Sequence, residues 1–131
     1  MIVQGMTTAF KIRALVLTNP VKLALYTALA NLGSDTLVYT TTNEVVGTGY
    51  TAGGIVVAPT TPLATDTTAY ISFANAVWPS ANFICRGALL YDTITLGAIA
   101  VIDFGSDKVA TPPFTVTFPP NTATTAILRI Y

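Results

Sequence analysis

Nine glycines and eight prolines are spread along this chain and cut it into short pieces, which leaves little room for long helices. The pieces between them favour strands: the chain holds twenty-three threonines together with abundant valine, isoleucine, tyrosine and phenylalanine. Their patterning agrees. In "FTVTF", Phe114, Val116 and Phe118 share one face while Thr115 and Thr117 take the other. "VKLALYT" sets Val21, Leu23 and Leu25 opposite Lys22 and Tyr26, and "AYISFA" separates Ile71 and Phe73 from Tyr70 and Ser72. Further strands are expected over 8–17, 54–58, 83–92, 97–104 and 124–131, divided by turn signals at "TNP", "GTGYTAGG", "TPLATD", "WPSAN" and "PPN". One helical piece, 25–35, competes with strand 21–27 and stops at Gly33. No repeat and no charged linker divides the chain. The expected fold is all-β: a single β-sandwich or jelly-roll-like domain over 1–131, with about eight antiparallel strands and little helix. Residues 1–9, "MIVQGMTTA", lack alternation and contain Gly5, so they are expected to form an N-terminal arm.

Charge limits the partners. Hydrophobic residues make up 52% of the chain and charged residues 9%, against roughly 25% in ordinary soluble domains. Six basic side chains balance six acidic ones, so the chain has no electrostatic footprint for nucleic acid or an anionic membrane. No membrane span is expected, because the best apolar run, "GALLYDTITLGAIAVIDF", is broken by Asp92 and Gly97. Lys11 and Arg13 follow rather than lead the first apolar residues, unlike the order in a signal peptide. A surface this poor in charge is expected to be covered by protein, in a homo-oligomer that is a dimer or trimer.

The chemical inventory is short. "GTGYTAGG" contains Gly47-Thr-Gly49-Tyr-Thr-Ala52, a match to the G-x-G-x-x-A dinucleotide fingerprint. That fingerprint requires a following helix to present its N–H groups to pyrophosphate. Here the glycines lead into "GIVVAPTTP", strand-like and then broken by proline, so the loop is expected to turn the chain and bind no nucleotide. Tyr50 within it is expected to anchor against a neighbouring strand. The chain has no histidine, which removes Ser-His-Asp and Cys-His catalysis and, with a single cysteine, zinc. Cys85 is expected to be a buried structural thiol. The carboxylates Asp35, Glu44, Asp66, Asp92, Asp103 and Asp107 are scattered, most of them at turns. Asp103 and Asp107 of "DFGSD" offer the best candidate calcium ligands. Trp78, Tyr50 and Tyr39 are the candidates for a carbohydrate platform, although Trp78 reads better as core. No catalytic, cofactor or metal residues are assigned, and the chain is not expected to be an enzyme.

One hairpin can be drawn in register. If 83–92 and 97–104 are closed by Thr93–Leu96, Asp92 faces Gly97, Leu90 faces Ile99, Ala88 faces Val101 and Arg86 faces Asp103. Both faces are then apolar, and Arg86 with Asp103 would form a partly buried pair.

Four stretches, "VKLALYTALANLGSDTLVYTTTNEVVGTGYTAGG", "ICRGALLYD", "AVIDFGSDK" and "FTVTFP", resemble in the same order a family of small structural proteins encoded by tailed bacteriophages. The resemblance covers about residues 21–131, and its most specific pieces are the glycine loop and "DFGSDK". It implies a virion component without enzymatic activity, either a decoration (cement) protein on the capsid surface with the major capsid protein as partner, or a tail or host-contact module that binds a receptor or glycan.

Overall fold

A computed structural model describes all 131 residues. Its nine strands are β1 (Val21–Tyr26), β2 (Ile55–Val57), β3 (Leu63–Thr65), β4 (Thr68–Ile71), β5 (Ala76–Trp78), β6 (Phe83–Asp92), β7 (Ala98–Ala110), β8 (Phe114–Val116) and β9 (Leu128–Ile130), with one short helix, α1 (Thr8–Ala14). Every strand pairing is antiparallel. The all-β, sandwich-like class expected from the sequence is the one that forms. The chain gathers into two compact units, the first built from residues 1–18, 58–74 and 117–131, the second from 19–57 and 75–116.

The first unit carries α1 and the three-stranded sheet β3-β4-β9. Residues 8–17, expected as a strand, instead supply the helix. Thr7 caps it by accepting a hydrogen bond from the Phe10 N–H at 3.2 Å, and Lys11 and Arg13 occupy its last turn, where the helix dipole favours cations. Lys11 is buried and donates to the Thr67 carbonyl at 2.7 Å. Ile71, Phe73 and Phe118 form the apolar heart of this unit, with the two phenylalanine rings 5.4 Å apart. Residues 1–7 have no regular structure and stand in the open: Ile2 is 99% and Val3 77% exposed.

The second unit holds the sheet β2-β1-β6-β7 and the ribbon β5-β8. Leu23, Ala24, Leu25 and Tyr26 of β1, and Ala88, Leu89, Leu90 and Tyr91 of β6, are all buried. These central strands are therefore covered on both faces, which explains their unbroken apolar runs. On one face Ala24, Tyr26, Leu89 and Tyr91 pack together under Ala30, Leu32 and Tyr39. Residues 27–35, where a helical turn was expected, have no helix. They form part of this cover.

The β6–β7 hairpin turns as expected, with the Asp92 N–H donating to the Gly97 carbonyl and Tyr91 opposite Ala98. The register then slips by one residue between Leu90 and Tyr91, so Leu90 faces Ala100, Ala88 faces Ile102 and Gly87 faces Asp103. The extra residue is Ile99, a bulge that the alternation could not reveal. A second irregularity sets Arg86 alone against Phe104–Asp107, with Gly105 at φ +81°. Arg86 and Asp103 still meet, Nε to Oδ1 at 3.4 Å, but the side chains are 40% and 71% exposed. The pair is therefore a surface pair and not the partly buried one expected.

Candidate functional site

The glycine loop covers the one buried carboxylate of the chain, Glu44, and its geometry follows from how that carboxylate is held. β1 is flanked along one edge by two short partners. β2 pairs with Val21–Leu23, and residues 44–45 continue alongside Leu25 and Tyr26. The chain between them, 46–54, has to leave that edge and return to it within a few residues. Gly49, Gly53 and Gly54 make this possible at φ +83°, +97° and +79°, a region that costs other residues about 1–2 kcal/mol. Gly54 also lies so close to β1 that a methyl group would collide with the Leu23 carbonyl. Gly47, the first glycine of the apparent fingerprint, has no positive φ. No helix follows the loop; β2 does. The fingerprint is a coincidence of spacing, and the glycines serve close packing.

Glu44 sits under this loop, 6% exposed. One carboxylate oxygen accepts from the Tyr39 hydroxyl at 2.6 Å, and the other accepts from the Tyr50 hydroxyl and from the Gly53 N–H at 2.7 Å. Tyr50 extends the network, since its hydroxyl oxygen accepts from the Leu25 N–H of β1 at 3.0 Å. Tyr91 of β6 donates to the Gly53 carbonyl at 2.6 Å, and Tyr26 donates to the Thr40 carbonyl at 2.6 Å. Burial, reinforced by the hydrogen bond to Glu44, pushes the Tyr39 and Tyr50 hydroxyls well above the ordinary tyrosine range. Burial and the Glu44 charge also push Tyr26 up to about 12. These phenols are therefore fixed donors at any physiological pH, and both carboxylate oxygens are occupied. Chemically the arrangement is a clasp that ties the 39–54 segment to the central strands.

The aromatic candidates are drawn inward. Tyr39 stacks on Tyr91 at 4.5 Å, and Tyr50 lies against Trp78 at 6.4 Å and Phe83 at 5.7 Å. Trp78 is 2% exposed. Tyr39 and Tyr50 are half-buried, so the three rings do not form one exposed platform. Tyr50 is an anchor on a neighbouring strand, as the sequence led us to expect, and its partner Glu44 is the residue that reading passed over.

No family model, curated protein or solved structure matches the chain.

The other carboxylates stay apart. Asp92 holds the β6–β7 turn, accepting from the Ile94 and Thr95 N–H groups at 2.8 and 2.9 Å and from the Asn19 amide at 2.9 Å; the backbone bond from Thr95 is the main cause that lowers its pKa. Asp103 accepts from the Gly105 N–H at 2.8 Å, which together with Arg86 lowers it as well. Asp103 and Asp107, the candidate calcium ligands, lie on the exposed β6–β7 irregularity, and no group of three or more acidic or thiol ligands converges anywhere. Cys85 is fully buried, and burial pushes its thiol up to about 11, so it is held as an unreactive thiol at neutral pH.

Proposed function

We propose that this chain is a structural protein of a bacteriophage virion, a decoration subunit that covers and clamps the capsid surface with the major capsid protein as its partner. The observation that carries this reading is the combination of a surface poor in charge with large apolar side chains left in the open. Val46 is 97%, Leu37 81%, Leu29 79% and Val109 72% exposed on a chain with only 9% charged residues. Surfaces of this kind are made to be covered. A subunit repeated over a shell would gain modest apolar burial at each contact and multiply it by the number of contacts. The sequence resemblance to tailed-phage structural proteins supports the same reading. So does the Glu44 clasp, which spends the buried polar groups on holding loops rather than on a substrate.

The test is electron microscopy of particles carrying a labelled form of this protein, together with rebinding of the purified protein to shells that lack it. Label over the whole head and greater resistance of rebound shells to heat are expected. Label confined to the tail would overturn the capsid reading in favour of a host-contact module.

A further inference from the structure

Two features of this molecule are incomplete within one copy. The first is the segment Met1–Met6, "MIVQGM". It is largely apolar and exposed over its length, and even a side chain added at Gly5 would meet nothing within 4 Å. The second is the outer edge of β7. This strand lies at the end of the order β2-β1-β6-β7. On its free side only Gly97 and Ala98 find partners, in Leu37–Tyr39. From Ile99 onward β7 is paired on the β6 side alone, and Val101 and Val109 on it are exposed. A groove of about 480 Å³ runs along this stretch, between Gly33, Ser34 and Thr36 on one side and Ala98–Val101 on the other.

An open edge of unpaired N–H and C=O groups is a template for an added strand, and natural proteins seldom leave one uncovered. We propose that it is covered by residues Met1–Met6 of a second copy of this chain, laid as an added strand along β7 from Ile99. The segment can reach roughly 20 Å when extended, at about 3.3 Å per residue, enough to cover the five residues from Ile99 to the irregularity after Asp103. Ile2 and Val3 are strand-favouring residues, and the segment bears no charged side chain that would have to be buried. Within one copy the segment stays exposed and the edge stays open, which points to a second copy as the donor, and charge favours that pairing. Apart from the buried Lys11 and Glu44, the unit that carries the segment holds Arg13 and Arg129 against Asp66, whereas the unit that carries β7 holds Asp35, Asp92, Asp103 and Asp107 against Lys22, Arg86 and Lys108. Insertion of the segment brings a basic unit of one copy to an acidic unit of the next, which aids encounter and fixes orientation. The contact joins two different surfaces, so it closes a dimer by reciprocal exchange or a small ring by head-to-tail addition.

This inference does not depend on the virion reading, because it is tested on the purified 131-residue chain alone. Val3→Cys and Val101→Cys chains are mixed and treated with a short bismaleimide, which tolerates a register shift of a residue or two; Cys85, being buried, serves as the unreactive background. The expected result is a cross-linked species of two chains in this mixture and none when Val101→Cys is replaced by Val46→Cys, whose side chain is more open still but lies on the glycine loop. A chain carrying both Val3→Cys and Val101→Cys that links only to itself would overturn the proposal. In parallel, sedimentation of a chain lacking residues 1–6 should show monomers where the full chain associates, with a melting temperature that no longer depends on concentration and matches that of the full chain diluted to monomers. Equal association with and without the segment, or a full chain that is monomeric throughout, would also overturn it.

Discussion

Replacing Glu44 by alanine should be among the most damaging single changes available in this protein. The substitution leaves three donors facing a space that no longer accepts: the hydroxyls of Tyr39 and Tyr50 and the N–H of Gly53. Each orphaned buried donor costs about 1–3 kcal/mol. Tyr39 and Tyr50 are both half-buried and can turn partly to water, so the full penalty falls on the buried Gly53 N–H alone. Relief from burying a carboxylate offsets part of the loss, and we expect a net destabilisation of about 2–3 kcal/mol. Glu44→Gln separates shape from charge. Its amide oxygen can keep the Tyr50 and Gly53 donors while its NH₂ group faces the Tyr39 oxygen, so only the charge assistance is lost, about 1–2 kcal/mol. Urea unfolding measures both, read as a shift of the midpoint at constant slope. An alanine variant within about 1 kcal/mol of the parent, or a glutamine variant as damaged as the alanine one, would refute the clasp.

Other expectations follow from the same geometry. Gly54→Ala, which combines φ +79° with a collision against the Leu23 carbonyl, should cost more than about 3 kcal/mol or prevent folding, whereas Gly105→Ala, at φ +81° with nothing within 4 Å, should cost only about 1 kcal/mol in the same urea assay. Tyr26 has a folded-state pKa of about 12 against 10.0 for the free phenol; its contribution is intact below pH 10 and lost as pH rises toward 12, at up to about 1.4 kcal/mol per pH unit. The Tyr26 share of tyrosinate absorbance, read as the difference between the parent and a Tyr26→Phe chain, should therefore appear together with unfolding and not before it. Because the Arg86–Asp103 pair is exposed, Arg86→Ala should cost less than about 1 kcal/mol, and the effect should shrink further in high salt.

The long apolar strands were legible in the sequence because burial on both sides writes itself as an unbroken run: β6 was expected at 83–92 and β1 at 21–27, and both form there. Strands β3 and β5 were missed because neither lies in a longer alternating run, as the equally short β8 does in "FTVTF", and both overlap the turn signals "TPLATD" and "WPSAN". The helix α1 was mistaken for a strand because Ile12, Val16 and Leu17 suggest one; the capping threonine Thr7, three residues before Phe10, was the available signal. Register was legible at the hairpin turn and lost one residue later, since a bulge at Ile99 changes every partner without changing the pattern. Glu44 was hidden for a different reason. A carboxylate near a turn reads as solvated, and only the folded chain brings Tyr39, Tyr50 and Gly53 around it. The signal in the sequence was a lone acid between two tyrosines in a glycine-rich stretch.

The way the two units share the chain has a consequence for its synthesis. Each of them is assembled from separated segments, and the chain passes from one to the other and back twice. No continuous fragment therefore contains the first unit without the second, and the second comes only with residues 58–74 of the first. On the ribosome, β4 emerges long before its neighbour β9, whose Ile130 pairs with Ala69, so the sheet of the first unit stays open until almost the whole chain has been made. β1 likewise waits for β6, more than a domain's typical loop away in sequence. Early in translation the cell therefore holds sticky, half-paired apolar strands in place of a finished domain. The nascent chain should need a chaperone, and its yield should fall when translation outpaces that help.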